Sequence, residues 1–498
     1  MSVDIWQTET EVLGQDGIGC TSHNLDPTDW SDFRQHAHTM LDVVISHLET
    51  IRAKPVWQPP PVGSRERFNQ PLPSEERSLG EVLEDVKTYV MPYATGNLHP
   101  RFMGWVHGAG TPIGVIAEMI AAGLNMNCGG RDHIGLEVER QIARWMQTAL
   151  GYPDGASGLF LTGSSMANLL AVVLAKFKAL GADTRRLGLR AVDRPLIAYT
   201  SAEAHGCIAQ AMELSGLGSA NLRRIPIDAS GGMDLESLQT AIRQDRAAGS
   251  VPFLVAATAG TVNTGAIDPL VGISKIASHE KLWFHVDGAI GALAVFSEAL
   301  RPLLAGIEMS DSIALDFHKW GHVPYDAGFL LVRDGKLHKE AFSNPTAYLQ
   351  RADRGLAAGA TWPCDLGLDL SRGFRALKTW MTIETLGTAR IGDAILNNCK
   401  LARYLAQEVA RIPVFELKAP VSLNIVCFGV RDGGDGSINR ELVLDLQEAG
   451  TAAPSWTTIG SETVIRCAIV NHRTTEADII LVLDGLTALA RARIGRAK

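Results

Sequence analysis

Between about residues 100 and 335, short apolar runs alternate with amphipathic helical segments, and this alternation constrains the fold more than any other feature. Each run is short enough for a strand and apolar on both faces, as strands buried inside a sheet are. Helices between successive strands predict a mainly parallel sheet that is covered on both sides. The predicted strands are 158–161, 196–199, 253–257 and 282–286, and the predicted helices include 166–180 and 235–245, the second capped by Asp234.

The segments on either side of this region have a different pattern of apolar residues. Apolar residues from 28 to 51 recur at helical spacing, a proline-rich run ends that helix, and a capping box at Ser78 and Glu81 predicts another. Near the C-terminus, two apolar runs and two amphipathic segments predict a small α+β unit. We therefore predict an N-terminal helical arm (1–97, with a loose start over about 1–25), a large domain (98–380) and a small C-terminal α+β domain (381–498).

Composition and charge exclude several classes of function. The 46 basic and 54 acidic residues give a net charge of −8, and no basic block is available to hold a nucleic acid backbone. No apolar stretch is long enough for a membrane helix, and the start of the chain has no signal-peptide pattern. Seven widely spaced cysteines without a CxxC pair predict reduced thiols and no metal site. We expect a cytoplasmic protein with no nucleic acid or membrane partner.

A strand followed by a glycine-serine turn and a helix is the first candidate site. Small residues and the free amides of a helix start suit a phosphate group, and serine hydroxyls add donors. The lysine of a P-loop is absent. The alternative is an ordinary helix cap without a ligand. The residues concerned are Gly163, Ser164 and Ser165.

The second candidate is Asp287, which directly follows a hydrophobic strand. A carboxylate at the end of a buried strand needs a donor or a cation as its partner, because an isolated ion is costly there. The partner would therefore identify the ligand. The alternative is an aspartate that caps a helix.

The third candidate is Lys319, which lies among Phe317, His318 and Trp320. Partial burial among such side chains disfavours the charged form of lysine and makes the amine nucleophilic. Schiff-base chemistry needs such an amine. In the alternative interpretation, the lysine stem packs on Trp320 and the ammonium reaches solvent.

Taken together, the three candidates supply the anchors that pyridoxal phosphate (PLP) requires. The glycine-serine turn suits the phosphate, Asp287 suits the pyridinium nitrogen, and Lys319 suits the aldehyde. We therefore predict that the chain binds PLP.

The sequence resembles the group II PLP-dependent decarboxylases, which act on aromatic amino acids, glutamate or diaminobutyrate. The resemblance covers about residues 28–490 and implies the type I aminotransferase-like fold and a homodimer. Its motifs are NLHPRF at 97–102, LEVER at 136–140, AHG at 204–206, ATAGT at 257–261, HVDGA at 285–289, DFHKW at 316–320 and RGFRALK at 372–378.

The resemblance also implies a role for each site residue. Lys319 would bind the cofactor aldehyde, and Asp287 would keep the ring nitrogen protonated, so that the ring accepts the electrons of a broken bond. His205 would stack on one face of the ring and act with Lys319 in catalysis, while Ala289 would pack on the other face. The further cofactor contacts are Gly163, Ser164, Ser165, Thr258 and His318.

The chain departs from the family at the residue that donates a proton. In aromatic amino acid decarboxylases, a tyrosine on a mobile loop protonates the substrate carbon after CO₂ is lost. The corresponding position falls near Trp362, and residues 350–369 contain no tyrosine. Tyr348 and Tyr325 are the possible substitutes. Without either, oxygen could intercept the reaction and yield an aldehyde.

A second departure concerns the substrate wall, which here contains Trp105 and His107. Asp132 and His133 replace a small apolar stretch and hint at a polar or cationic substrate, unless they lie behind the site or at an interface. Arg466 could meet a substrate carboxylate or form an interface ion pair.

We expect the chain to remove the α-carboxylate of an L-amino acid and release CO₂ and the amine. The alternatives are oxidative decarboxylation and deamination to an aldehyde, a lyase reaction on the same cofactor, and a silent scaffold member. The sequence does not identify the amino acid.

Overall fold

The structure is a computed structural model that describes residues 24–191, 193–344, 349–359 and 361–496. Cys20, Tyr348 and nearly all of the predicted loose start at residues 1–25 lie outside these ranges.

The strands of the described residues form two sheets. They are β1 (Phe102–Met103), β2 (Ser157–Leu161), β3 (Leu196–Ser201), β4 (Leu222–Ile225), β5 (Val251–Thr258), β6 (Trp283–Asp287), β7 (Ser312–Asp316), β8 (Gly328–Val332), β9 (Phe415–Leu417), β10 (Ile425–Val430), β11 (Ala453–Ile459) and β12 (Glu462–Ala468).

The α-helices of the described residues connect and cover these strands. They are α1 (Trp30–Glu49), α2 (Val62–Glu66), α3 (Leu79–Asp85), α4 (Pro112–Leu124), α5 (Ile134–Ala149), α6 (Ser164–Leu180), α7 (Thr184–Leu187), α8 (Cys207–Leu214), α9 (Leu235–Ala247), α10 (Leu270–Glu280), α11 (Gly335–Phe342), α12 (Arg375–Arg411), α13 (Ser437–Glu448) and α14 (Glu476–Arg496).

The large sheet has seven strands in the order β2-β8-β7-β6-β5-β3-β4. Strands β4, β3, β5, β6 and β7 are parallel to one another, whereas β8 runs antiparallel to both β7 and β2. The mainly parallel sheet of the type I fold is thereby confirmed.

Alternate side chains of each central strand enter cores on opposite faces of the sheet. On β6, Trp283 packs into one apolar cluster, while Phe284 and Val286 pack into the other. Helix α6 covers the same face as Trp283. Because side chains alternate along a strand, Asp287 at the end of β6 also faces α6.

The second sheet has the order β1-β11-β12-β10-β9 and packs with α13 and α14. Strand β1 lies far from the others in sequence, yet it pairs in parallel with β11. The predicted boundary after residue 380 falls within α12, which is broken at Gly387 by a positive φ of 69°. The division into three domains remains a prediction.

The N-terminal elements confirm the local signals of the sequence. Asp29 caps α1, and Ser78 and Glu81 form the predicted capping box at α3. None of the residues of α1 is buried. Within the part of the chain that the structure describes, every helix is too short or too polar to cross a membrane.

Candidate active site

A cavity of about 410 Å³ opens at the carboxyl ends of β5, β6 and β7. Ligands bind at this edge in parallel α/β sheets, because the loops that follow the strands converge there. All of the site residues predicted from the sequence line this one cavity: Gly163, Ser164, Ser165, His205, Thr258, Asp287, Ala289, His318 and Lys319.

The glycine-serine turn between β2 and α6 forms one end of the cavity. Gly163 precedes the first turn of α6, and Ser164 and Ser165 begin the helix. The turn lies against β8, where a Cβ at Gly328 would be only 2.3 Å from the Cα of Gly163. A side chain at position 328 would therefore displace the turn.

Asp316, at the end of β7, connects this turn to Lys319. Its carboxylate accepts hydrogen bonds from the Ser164 backbone N–H and the Ser164 hydroxyl, each at 2.7 Å. The same carboxylate lies 2.9 Å from Lys319 Nζ. Burial lowers the pKa of the lysine, but Asp316, Asp287 and Tyr325 together raise it above its ordinary value. This direction is opposite to the one expected from the sequence, because the desolvated lysine has a buried counter-ion.

A chain of hydrogen bonds behind the cavity ends on Asp287. Asn168 Nδ2 donates to the Asp287 carboxylate at 3.0 Å, and Asn168 Oδ1 accepts from His285 Nε2 at 2.6 Å. His285 Nδ1 lies 2.8 Å from the Ser312 hydroxyl. Burial lowers the pKa of His285 to about 3, so the imidazole is neutral and its proton lies on Nε2. This row of hydrogen bonds fixes the orientation of the Asp287 carboxylate.

Asp287 fits the role of partner to a pyridinium nitrogen. Among the described residues, no cation forms an ion pair with it, and its contacts are amide and thiol donors. Burial raises the pKa of the carboxyl, although the ammonium of Lys319 in the same cavity opposes the shift. A buried acid of this kind is stabilised by a protonated ring nitrogen placed against it.

The remaining predicted residues lie around the same space. His205 Nδ1 accepts the N–H of Cys207 at 3.2 Å, and its exposed ring lines the cavity. The Ala289 N–H donates to Asp287 at 3.1 Å. Thr258 is held by its backbone N–H, which donates to Asp268 at 2.7 Å. His318 Nδ1 accepts the Ala327 N–H at 3.0 Å.

Aromatic rings form the wall opposite the sheet. Trp105 and His107 are stacked with centroids 5.7 Å apart, and Tyr325 meets His107 edge-on at 6.2 Å. Tyr325 also lies 4.4 Å from the His318 ring. Trp105 has a positive φ of 49°, an uncommon backbone for a bulky residue. The wall is thus an aromatic surface on the cavity that also contains Lys319.

Arg466 holds this wall from behind. Its guanidinium donates to the Trp105 carbonyl at 2.8 Å and to the carbonyls of Val262 and Asn263. Arg466 is only 3% exposed. Within this chain the arginine therefore binds backbone carbonyls, and neither of the roles considered from the sequence accounts for it.

One other expectation about the substrate is not supported. Asp132 and His133 lie outside the set of residues that line the cavity, so they provide no charge to a substrate there. Trp362, at the place of the family's loop tyrosine, is buried and stacks against the Arg131 and Arg351 guanidinium groups. It is a structural anchor in this chain.

Sequence reasoning missed the contributions of Asn168, His285 and Asp316. All three occur in segments singled out for other residues. The spacing of Ser164 and Asn168, one helical turn apart, places both on the face that meets β6 and β7, and this signal could have identified Asn168. The partners of Asp316 come from a distant segment, and no local pattern reveals them.

The sheet, the strand-end lysine and the buried aspartate define a PLP-dependent enzyme with the type I fold. Comparisons with known proteins specify the class further. The family model of the pyridoxal-dependent decarboxylase conserved domain matches residues 61–431. The chain therefore belongs to the pyridoxal-dependent decarboxylase family, whose cofactor is PLP.

Relatives of known name match along nearly the whole chain. An aromatic-L-amino-acid decarboxylase of Bacillus atrophaeus is 30% identical over 475 residues, which are 92% of this chain and 95% of that protein. A phenylacetaldehyde synthase of Arabidopsis thaliana is 30% identical over 464 residues, 89% of this chain and 93% of that protein. The crystal structure of Oryza sativa TDC with PLP and tryptamine superimposes with a TM-score of 0.86 at 25% identity, covering 94% of this chain and all of that one.

Proposed function

We propose that the protein decarboxylates an aromatic L-amino acid to the corresponding amine and CO₂. The observation that carries this proposal is the placement of Lys319 and Asp287 in one cavity that is walled by Trp105, His107 and Tyr325. When bound, PLP supplies an electron sink for the bond that breaks at the substrate's α-carbon.

The residues of the cavity each have a role in this proposal. Lys319 would bond the cofactor aldehyde, and the charge of Asp287 would hold a proton on the ring nitrogen. His205 would stack on the ring, with Ala289 on the other side. The phosphate is held by Gly163, Ser164 and Ser165 at the start of α6, and Thr258 and His318 line the ring edge.

The lining of the cavity supports an aromatic substrate. Lys319 is the only permanent cation among the described residues that line it, so a carboxylate side chain of a substrate finds no other positive partner there. Burial lowers the pKa of His107, which favours a neutral ring. An indole or phenol side chain packs well on such a wall by offset or edge-on contact.

We further propose that Tyr325 donates the proton that replaces the carboxylate. It lines the same cavity as Lys319, and its hydroxyl lies near the Gly108 backbone amide. Burial raises the pKa of this phenol, so it carries its proton at neutral pH. Its neighbour Asp326 pairs with Arg375 at 2.8 Å and fixes the turn.

Oxidative decarboxylation to an aldehyde is the second candidate. It is favoured by the absence of tyrosine from residues 350–369 and by the similarity to a phenylacetaldehyde synthase. In this reaction, the amino acid, O₂ and water yield the aldehyde, CO₂, ammonia and hydrogen peroxide. Loss of proton donation at the α-carbon would favour it.

The test is a panel of L-amino acids in which CO₂, amine, aldehyde, ammonia and peroxide are measured. The proposal expects aromatic substrates to give equal amounts of amine and CO₂ without peroxide. Tyr325→Phe is expected to lower amine formation at least about tenfold, as for loss of a general acid, and to raise the aldehyde fraction. Aldehyde and peroxide from the unmodified protein would favour the second candidate, and unaltered amine formation by Tyr325→Phe would exclude the role of Tyr325.

We also propose that the protein is a homodimer. Helix α1 leaves Trp30, Phe33 and Ile45 exposed, and α4 leaves Met119 and Leu124 exposed. A second copy of the chain would remove these apolar side chains from water. A dimeric mass in solution is expected, and a monomeric mass with full activity would contradict the proposal.

We also propose a cytoplasmic location, because the cysteine thiols that the structure describes are not paired in disulfides. The cysteines in the described residues are all free, and most are buried. Thiols in this state are typical of a reducing compartment. Fractionation of the source cells tests this proposal, with activity in the cytoplasmic fraction as the expected result.

A further inference from the structure

Asp316 occupies the donors at which an anion would bind. Its two carboxylate oxygens take the backbone N–H and the hydroxyl of Ser164, both at 2.7 Å. These groups belong to the first turn of α6, where unpaired amides and the helix dipole attract negative charge. The resident carboxylate therefore uses two of the donors that suit a phosphate group.

The same carboxylate forms an ion pair with Lys319, which holds it at this position. Lys319 Nζ lies 2.9 Å from Asp316 Oδ2, and His318 Nε2 lies 3.7 Å from it. Because His318 Nδ1 accepts the Ala327 N–H, the neutral ring carries its proton on Nε2, which faces Asp316. The side chain of Asp316 is 2% exposed. Moving it away would leave a buried ammonium without its counter-ion.

A phosphate at this turn would lie beside a buried carboxylate. Two negative charges repel strongly there, because neither water nor salt screens them well. The phosphate can bind only if Asp316 releases Ser164, takes up a proton, or tolerates the repulsion. Each of these costs binding free energy.

We propose that Asp316 is a positioning residue, which holds the Lys319 ammonium in the cofactor-free enzyme and lowers the affinity of the helix start for phosphate groups. This inference rests on the proposed function, because it takes Lys319 and the glycine-serine turn as the cofactor site. Asp316 would thereby limit how tightly the cofactor is retained. None of the other site residues has this role.

The test compares Asp316→Asn with the unmodified protein, both freed of cofactor. Dissociation constants are measured for PLP and for pyridoxal, which has the aldehyde but no phosphate. The ratio of the two constants isolates the contribution of the phosphate, since any change in the reactivity of Lys319 affects both compounds. The asparagine keeps an acceptor for Ser164 but has no charge. We expect the preference for PLP over pyridoxal to rise at least about tenfold.

Asp311→Asn is the matched control. Asp311 is a partly buried carboxylate next to the other end of β7, where it accepts the Phe284 N–H at 2.8 Å. Its replacement is expected to leave the preference unchanged. An equal or smaller preference in Asp316→Asn than in the unmodified protein would overturn the proposal.

The unmodified protein provides a second measurement, which does not depend on how the variant folds. Inorganic phosphate is expected to neither stabilise the cofactor-free protein nor compete with PLP below roughly 10 mM. Competition below about 1 mM would show an open anion site and would also overturn the proposal. If PLP itself does not bind, the proposed function fails instead, so the two failures are distinguishable.

Discussion

At the scale of single residues, the site depends on buried polar groups that satisfy one another. Asp287 reaches the cofactor side of the sheet, and Asn168 and His285 hold it from behind. Such a chain is stable only when every member is paired, because an unpaired polar group in the interior is costly. Asn168 is the central member of this chain of hydrogen bonds, because it bonds both Asp287 and His285.

Asn168→Ala is expected to lower the free energy of unfolding by about 1–3 kcal/mol, since it leaves His285 Nε2 without its acceptor and removes the amide donor from Asp287. It should also weaken PLP binding, because the carboxylate loses its fixed orientation. Denaturant unfolding and a PLP titration measure the two effects.

The matched control is Asn439→Ala on α13, where the buried asparagine accepts the Val430 N–H and donates to the Thr463 carbonyl of the second sheet. It should destabilise the protein to a similar extent and leave PLP affinity unchanged. Equal PLP affinity in both variants would contradict the role assigned to Asn168.

At the scale of elements, the end of the cavity is set by how closely β8 approaches the turn before α6. Gly328 faces the Gly163 backbone, and a Cβ there would lie within 2.3 Å of it. Gly328→Ala is therefore expected to displace the turn at a cost of about 1–3 kcal/mol and to weaken PLP binding. Gly373→Ala is the control, because an added Cβ there meets no atom within 4 Å. Unchanged PLP affinity in Gly328→Ala would show that the turn tolerates the shift.

The elements also show how far the sequence alone predicts the structure. Helical and strand periods predict the central strands and helices α6 and α9 to within a few residues, because burial imposes those periods. Short strands such as β1 and β4 were not predicted, since they are too short to carry a period. The pairing of β1 with β11 joins distant segments, which no local pattern encodes.

For the site, the sequence predicted which residues share the cavity, because strand ends of a parallel sheet converge. It did not predict the state of Lys319. The ion pair with Asp316 depends on side-chain placement around a turn, and together with Asp287 and Tyr325 it reverses the effect of burial on the pKa of the lysine.

At the scale of the whole molecule, buried histidines make stability depend on pH. Burial lowers the pKa of His338 to about 4 and that of His322 to about 3, against about 6.5 in an unfolded chain. Between pH 6.5 and about 4, the unfolded state therefore binds more protons than the folded state. This contribution to stability is present above pH 6.5 and is lost as the pH falls.

His338→Gln removes the proton that this histidine binds on unfolding, and should flatten the pH dependence of the free energy of unfolding by about 1.2 kcal/mol per pH unit between pH 6 and 5. Denaturant unfolding at the two pH values measures this difference. His38→Gln, at an exposed position, serves as the control and should keep the original dependence. An unaltered dependence in His338→Gln would contradict this account.

The central claim is that Lys319 carries the cofactor in the cavity that also holds Asp287. Borohydride reduction of the PLP-loaded protein, followed by proteolysis and mass spectrometry of the peptides, tests this claim directly. The account predicts a phosphopyridoxyl group on the peptide that contains Lys319 and none on that peptide in Lys319→Ala. A cofactor label at a different lysine, or no label on a protein that decarboxylates its substrate, would contradict it.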